Sequence, residues 1–456
     1  MKKITIFLFA GLFALLLFYV CGSGESAKPR ILISTDIGGT DPDDNQSMTH
    51  FLMYSNLFET EGLVSSPSYG SGSVSEILRM IDLYEQDLPE LQKHADGFPL
   101  PDYLRSISKQ GRSGAAPYCG YKTATEGSDW IVRCARKESD RPLWVLVWGG
   151  LDDLAQALHD APDIQDKIRV YWIGGPNKKW STNSYAYIAE NFPDLWFIEN
   201  NASYRGFISD YKRMDEFNGK YCDTFVRGAG HLGEDFGNYL NGNIKMGDTP
   251  SLLYMMHGDP NDPIAESWGG SFVRFARSPQ IIFDRPATAR DTAQIYSIME
   301  FRVKGPRMDI PADSVCMTMT INKQTWGGFY LGDGIYAVRH ATYALGTMPY
   351  AIVSEIPGFP EQHGEITVEN VWPGRERDTD YLLGDNWFTD SSDEALFERN
   401  LHGFKTVSKW RIDAMTDARG NAVCRRRGWP SRCRRRTFRS KADRDCRAVR
   451  CAPCCC

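Results

Sequence analysis

The chain has 456 residues, 42% hydrophobic and 12% aromatic, with a formal charge of −6. That is enough apolar content for one large or two smaller packed domains, and the acidic balance excludes a nucleic-acid partner held through phosphate contacts. The charge is uneven: Arg419–Cys456 carries thirteen Lys and Arg against Asp443 and Asp445, a local +11, which leaves −17 on the rest.

Lys2-Lys3 followed by the apolar run Ile4–Val20 reads as an export signal, residues 1–27, with small residues at Gly22–Ala27 for cleavage. Cys21 offers the alternative of a lipoprotein signal, so a membrane enters only through an N-terminal lipid anchor. The run is short for a span. The expected location is outside the cytoplasm of a bacterium, either periplasmic, extracellular or as an outer-membrane lipoprotein. Of twelve cysteines, seven lie after Arg419 and one in the signal. Cys119, Cys134, Cys222 and Cys316 remain, widely spaced and without a CxxC pair, so there is no zinc motif. Export permits a disulfide between two of them.

Ile31–Gln46, ILISTDIGGTDPDDNQ, carries most of the chemistry. Ile31-Leu32-Ile33 suits a strand buried on both faces. Asp36, Gly38 and Gly39 make a sharp turn, and Met48, Phe51, Leu52 and Ser55 then recur at helical spacing. The acidic cluster Asp36, Asp41, Asp43 and Asp44 therefore sits where a strand ends and a helix begins. That is the edge at which open α/β sheets bind ligands. Four carboxylates this close repel one another and stay ionised cheaply only beside a cation. Flexible multi-carboxylate sites suit Ca²⁺ better than Mg²⁺. The plainer alternative is helix capping by Asp41 or Asp43.

Further along, Glu61–Ser66 reads as a strand, Pro67–Gly72 as a loop and Ser73–Glu85 as a helix. Gly97–Tyr121 reads as a surface excursion. Glu126–Lys137 is predicted helical, Leu143–Trp148 a buried strand stopping at Gly149-Gly150, and Leu151–His159 a helix. Ile168–Ile173 is a strand stopping at Gly174-Gly175-Pro176, and Leu195–Ile198 is another. This alternation predicts an α/β fold with a mostly parallel central sheet and flanking helices over residues 28–291. Near its end Thr249-Pro250 starts a helix, followed by Asp259, Asp262 and Glu266. Residues 292–372 turn Val- and Thr-rich with short alternating runs, which predicts a small antiparallel β insertion. Its aromatics Trp326, Phe329, Tyr330 and Tyr336 suit either sugar stacking or a core. Residues 373–418, with helical periodicity over Leu396–Met415, read as a helical return to the first body. Residues 419–456, Arg/Cys-rich and almost without aliphatics, are expected to be unstructured and to arise from a frame or gene-model artefact; a metal- or nucleic-acid-binding tail is the other reading.

Thr35-Asp36 through Asp43-Asp44 resembles the acidic N-terminal motif of the nucleoside hydrolases. The spelling TDIGG then PDDNQS is more similar to the nucleoside-hydrolase-like domain of secreted cellulose-binding proteins. DIGGT also resembles the first phosphate loop of sugar kinases and actin-like proteins, but that family expects a hairpin where Asn45–Ser55 reads helical. The hydrolase resemblance implies a Ca²⁺-dependent enzyme acting on N-glycosidic bonds of a nucleoside or other glycoside. It implies Asp36 as metal ligand and catalytic base, with Asp43 or Asp44 as alternate, and Asp44, the Trp148 carbonyl and Asp262 completing the metal shell. Asp262-Pro263-Ile264-Ala265 matches the family's late acidic motif, with Asp259 as the alternative. On the substrate side stand Asp43, Glu190, Asn191, Asn261 and His257. The sequence departs from the family at Tyr69-Gly70, where a Gly-Asn pair is usual, and at Asn261, where a His is usual. The other function class is a carbohydrate-binding protein, for a cellulose-type polysaccharide, that keeps the hydrolase fold with little turnover.

Overall fold

The computed structural model describes residues 27–39, 42–66, 72–208 and 216–417. The export signal with Cys21, Asp41, Pro67–Gly72 with Tyr69-Gly70 (except Gly72) and the Arg/Cys-rich tail lie outside the described residues.

The first half alternates strand and helix: β1 (Arg30–Thr35), α1 (Asp43–Tyr54), β2 (Glu59–Ser65), α2 (Val74–Leu91), α3 (Pro101–Ser106), β3 (Ser108–Gln110), α4 (Glu126–Arg136), β4 (Leu143–Val147), α5 (Asp152–Asp160), β5 (Ile168–Ile173), α6 (Pro176–Trp180), α7 (Thr182–Asn191) and β6 (Trp196–Asn200). Then come three helices, α8 (Glu216–Tyr221), α9 (His231–Asn238) and α10 (Thr249–Met256). Strands fill most of the rest: β7 (Val273–Arg274), β8 (Arg277–Ser278), β9 (Gln280–Phe283), β10 (Thr292–Gln294), β11 (Ile298–Lys304), β12 (Val315–Ile321), β13 (Gln324–Gly332), β14 (Ile335–His340), β15 (Gly346–Val353), β16 (Gln362–Glu369), β17 (Tyr381–Leu382) and β18 (Trp387–Thr389).

The first sheet has the order β3-β2-β1-β4-β5-β6-β18-β7. Every pairing in it is parallel except β18 with β7. Its central strands, RILIST, LWVLV and IRVYWI, are apolar on both faces because helices cover both. Ile31, Ile33, Leu146 and Tyr171 face Met48, Phe51, Ile77 and Leu252 of α1, α2 and α10. Leu32, Val145, Val170 and Trp172 face Ile131, Leu154 and Tyr185 of α4, α5 and α7. α4 is fixed at its start by a capping box between Thr125 and Ser128.

The second sheet, β10-β16-β15-β12-β13-β14-β11-β9, is antiparallel except at β10–β16 and β11–β9. It shares one continuous apolar cluster with the α4–α5–α7 side of the first, through Phe283, Phe301, Met319 and Tyr350. Phe329, Tyr330 and Tyr336 are buried in this sheet, whereas Trp326 is only half-buried.

Three expectations are revised. The stretch Gly97–Tyr121 contains α3 and the edge strand β3, a three-residue SKQ segment with no apolar pattern to betray it. The second sheet begins before residue 292, at β9. The return after residue 373 is made first by a strand: β18 inserts beside β6, because its Trp-Phe-Thr is buried on both faces. The described cysteines Cys119, Cys134, Cys222 and Cys316 are all free thiols.

At the amino ends of β1 and β2, Arg30 and Glu61 form a bidentate pair, Nε to Oε1 at 2.7 Å and Nη2 to Oε2 at 3.0 Å, with side chains 3% and 4% exposed. Arg30 also donates to the carbonyls of Arg141 and Cys134. Glu61 Oε1 also accepts from Lys137 Nζ at 3.0 Å, so removing Arg30 leaves a buried carboxylate with only that exposed cation, whereas removing both partners leaves an apolar gap that packing tolerates. Arg30→Met is expected to cost about 3 kcal/mol, read from the urea midpoint. Arg30→Met combined with Glu61→Leu should recover most of that loss.

Candidate functional site

Parallel strands bring all their carboxyl ends to one edge. From β1 the chain moves outward to β2 and β3, then crosses back to β4 on the other side of β1, so the order reverses between β1 and β4. A crevice at such a reversal is where open α/β sheets take ligands. Asp36 leaves β1 there. The turn that follows closes with Gly39 N–H donating to the Asp36 carbonyl at 3.0 Å, and Gly38 adopts φ +83°, which a side chain resists.

Asp43 and Asp44 open α1, both buried. Neither is spent on capping: the N-cap position is Pro42, and no side chain caps the helix. The Thr35 hydroxyl donates to Asp44 Oδ1 and accepts from the Ile37 N–H at 3.1 Å, so the strand end sets the Asp44 rotamer.

A third carboxylate arrives from about two hundred residues later. Asp248 precedes α10, again with no side-chain cap on that helix. The segment before it is clamped to α1: Gln46 Oε1 accepts from the N–H groups of Lys245 (2.8 Å) and Met246 (3.2 Å), and Gln46 Nε2 donates to the Asn243 carbonyl at 2.9 Å. Ser47 Oγ accepts from the Asp248 N–H at 3.3 Å. As a result, one oxygen each of Asp43, Asp44 and Asp248 lies within 4.8 Å of the others. Gly247 allows this approach, since a Cβ there would sit 2.2 Å from Asp43 Oδ2.

Asp36 is half-buried at the side of the cluster, and a Cβ on Gly149, after β4, would stand 2.7 Å from its Cβ. Lys245 Nζ lies 3.0 Å from Asp43 Oδ2, both side chains buried. Burial pushes the Asp44 carboxyl well above its ordinary range, and the like charges of Asp36, Asp248 and Asp43 push it further, against the Thr35 hydrogen bond. Crowded oxygen donors with no nitrogen or sulfur among them are the donor set of a hard divalent cation, and such an ion would relieve the repulsion that raises Asp44. The residues fit that group.

Trp148 braces the arrangement. Its indole N–H donates to Ser251 Oγ at 2.8 Å, and Ser251 Oγ donates to the Asp248 carbonyl at 2.7 Å. The Trp148 carbonyl, the expected metal ligand, accepts from Asn177 Nδ2 at 2.8 Å.

The structure does not bring the remaining expected residues here, for one shared reason. A helix that leaves the carboxyl edge runs back to the amino edge, so whatever follows its end is on the wrong side. α10 has eight residues, a rise of roughly 12 Å. His257 caps its far end, stacked on Trp268 at 3.6 Å between ring centroids. Asn261 follows and accepts from Arg169, at the start of β5. Asp262 is exposed beside it, its Oδ1 accepting from the Ile264 N–H at 3.1 Å, which is turn chemistry. Asp259 is exposed in the same turn and bonds Asn261. Glu190 and Asn191 are exposed at the far end of α7. Asp248 therefore stands where Asp262 was expected. Its signal was present, an Asp directly before Thr-Pro at a helix start, but the Asp-Pro pair further on drew the reading away.

Residues 30–272, more than half of the chain, match the family described as cellulose-binding Sde182, nucleoside hydrolase-like domain, and the chain belongs to that family. Among solved structures it is similar to a nucleoside hydrolase-related protein from Saccharophagus degradans that is associated with carbohydrate metabolism, at 20% identity and TM-score 0.47, over 75% of this chain and 100% of that one. It is also similar to the inosine-uridine preferring nucleoside hydrolase from Bacillus anthracis, at 13% identity and TM-score 0.35, over 75% of this chain and 94% of that one. No curated protein matches.

A carboxyl whose folded-state pKa is raised holds its proton more readily folded than unfolded. Its ionisation therefore costs stability above the raised pKa, and the cost vanishes as pH falls below the unfolded value. In the presence of a chelator, Asp44→Asn is expected to melt higher than the parent at pH 7 to 8. The difference should close as pH approaches 4. Scanning calorimetry across that range reads both.

Proposed function

We propose that this member of the cellulose-binding, nucleoside hydrolase-like family is an exported, calcium-dependent hydrolase of glycosyl bonds, N-glycosidic in the first instance. The observation that carries the reading is the convergence of Asp43, Asp44 and Asp248 on one buried spot at the strand-order reversal, with Asp36 at its open side. Asp43, Asp44, Asp248 and the second lone pair of the Trp148 carbonyl would hold Ca²⁺. When bound, calcium supplies a grip on vicinal sugar hydroxyls and a more acidic water.

The chain's own residues do the rest. Asp36 is partly open to solvent, beside the cluster rather than enclosed in it, and is the carboxylate placed to accept a proton from the attacking water. Asp44 is held in one rotamer by Thr35, and Lys245 fixes Asp43. The transition state of such a cleavage is an oxocarbenium-like sugar, and the anionic cluster favours that developing positive charge. Export rests on Lys2-Lys3 and Ile4–Val20 together with the cellulose named for the family, a polymer met outside the cell.

A second reading has its own observation. Asn261 stands where the family's leaving-base His is usual, and His257, the imidazole close to it in sequence, stands a helix length from the acids. Leaving-group protonation is the missing half of an N-glycosidase, which favours saccharide binding with slow turnover.

The two readings part on sugar release from a panel of nucleosides and a nitrophenyl riboside, with calcium and with chelator. The hydrolase reading expects chelator-sensitive release, fastest from the nitrophenyl leaving group, which needs no acid. Asp36→Asn should lower the rate by roughly 10²- to 10⁴-fold while calcium still raises the melting midpoint. No release from any substrate would overturn the hydrolase and leave the binding protein. Calcium at roughly 100 times its Kd should stabilise the parent by about 2.7 kcal/mol.

A further inference from the structure

Residues 405–417, mostly helical, tie together elements from three distant parts of the chain. Lys409 pairs with Glu266, in the segment after α10. Trp410 stacks on Trp268 at 5.9 Å between ring centroids. Arg411 donates to Asn218 Oδ1 of α8, and the Tyr221 hydroxyl, at the end of that helix, donates to the Met415 carbonyl at 2.7 Å. Last, the Tyr54 hydroxyl of α1 donates to Asp417 Oδ2 at 2.7 Å. Ala414 and Met415 join the apolar cluster of Phe207, Phe236 and Ile244. The polar contacts are exposed or only partly buried, so water competes for each of them.

Two imidazoles lie against this strap. His50 sits one helical turn before Tyr54 on α1 and is 4% exposed, the two rings 4.9 Å apart. His257, at the end of α10, stacks on Trp268 at 3.6 Å, so ring contacts run from it through Trp268 to Trp410. His50 Nδ1 and His257 Nε2 are buried without a hydrogen-bond partner in the protein. A neutral ring bears this, because one of its nitrogens carries no proton. The protonated ring carries N–H on both and needs an acceptor for each. The apolar space of about 50 Å³ beside His50 offers little: Met53, Phe207, Phe236 and Met415 line it, and no carboxylate among the described residues does.

Burial holds the His50 imidazole down to about 3, and the charge of a protonated His257 opposes its protonation further. Burial lowers His257 as well, against the pull of Asp417. Among the described residues no other charged group acts on either ring. An imidazole whose folded pKa is lowered stabilises the closed state fully above its ordinary 6.5, and that stability is lost as pH falls below it. The strap is where the strain is relieved, because α1 and α10 are packed on the central sheet and the strap is held from outside.

We propose that residues 405–417 are a strap released by mild acid: protonation of His50 and His257 lifts it from α1 and α8 and opens the apolar space beneath. That space also borders Met246 and Thr249, on either side of Asp248, so acid reaches the packing behind the acid cluster. Release of the strap does not depend on what the cluster binds.

The test is hydrogen exchange of the full-length chain, read by mass spectrometry at pH 7.5 and 4.5 and corrected for the intrinsic exchange rate. The lower pH is two units below the ordinary 6.5 of an imidazole. Protection over residues 405–417 should therefore fall by about 100-fold, while β4 and β5 keep theirs. In the chain carrying both His50→Leu and His257→Gln the fall should shrink to about threefold or less. His257→Gln alone, at a half-buried ring, should also shrink it and serves if the double variant melts early at pH 7.5. Asp417→Asn, which removes the carboxylate and keeps an acceptor for Tyr54, should leave the fall in place. Four results would overturn the proposal: equal protection at both pH values, a fall shared by β4 and β5, a fall undiminished in natively melting histidine variants, or a fall that Asp417→Asn abolishes.

Discussion

Four carboxylates crowded at one strand edge set the terms for everything around them. Near a protein surface two like charges 4 Å apart repel by about 4 kcal/mol, and Asp43, Asp44 and Asp248 are closer to buried than to surface. Such a cluster flies apart unless the backbone behind each acid is fixed. Apart from Lys245 on Asp43, the fixing is done by neutral groups that cannot be titrated away. Thr35 holds Asp44, Gln46 and Ser47 hold the segment bearing Lys245 and Asp248, and Trp148 reaches Ser251 behind it. The acids repel, but the groups that hold their backbone do not yield.

The second fixed body is the wall on the other side. Lys178 and Glu199 form a fully buried pair at 2.7 Å; burial draws the Lys178 ammonium down to about 8, outweighing the pull of Glu199. Glu199 also accepts from Tyr185 (2.5 Å) and Asn201 (2.8 Å). Asp390, just past β18, accepts from the Asn201 N–H at 2.6 Å, while Thr389 donates to the Glu199 carbonyl. With both Glu199 oxygens engaged, Glu199 and Asn201 are spoken for by the fold. Their work is to lock α6, and with it Asn177 and the Trp180 ring, against a strand that comes from the far end of the chain.

What could be read from the sequence follows from this anatomy. The strands were legible because burial on both faces writes them as unbroken apolar runs, as in LWVLV and IRVYWI. The Asp36, Asp43 and Asp44 cluster was legible because strand, turn and helix are local, and local geometry places all three. The partner from far along the chain was not. Periodicity marks Thr249–Met256 as a helix, yet nothing in its spacing says which end faces the acids, and it is Asp248 rather than Asp262 that lies beside Asp43 and Asp44. The same ambiguity moved Glu190, Asn191, Asn261 and His257 to the opposite edge. Topology decides these cases: a crossover helix must run antiparallel to its strands, so its first residue can face the crevice and its last cannot. Trp326 was a different case. Alternation put it on a strand among core aromatics, and only the meeting of two sheets made its face a wall.

Lys245 bears on what the crevice will accept. Its ammonium lies 3.0 Å from Asp43 Oδ2 with both side chains buried, so one positive charge is set against the acids. A compact ammonium on a flexible stem suits that role: it sets the direction of one carboxylate without the planar fork by which an arginine would occupy two oxygens at once. Asp44 and Asp248 thus keep their oxygens directed at the common centre. A divalent ion held by Asp43, Asp44 and Asp248 would bring twice the charge of that ammonium. Carboxylates from α1 and from the segment before α10, set against one lysine, make this edge suited to a cation rather than to an anionic group.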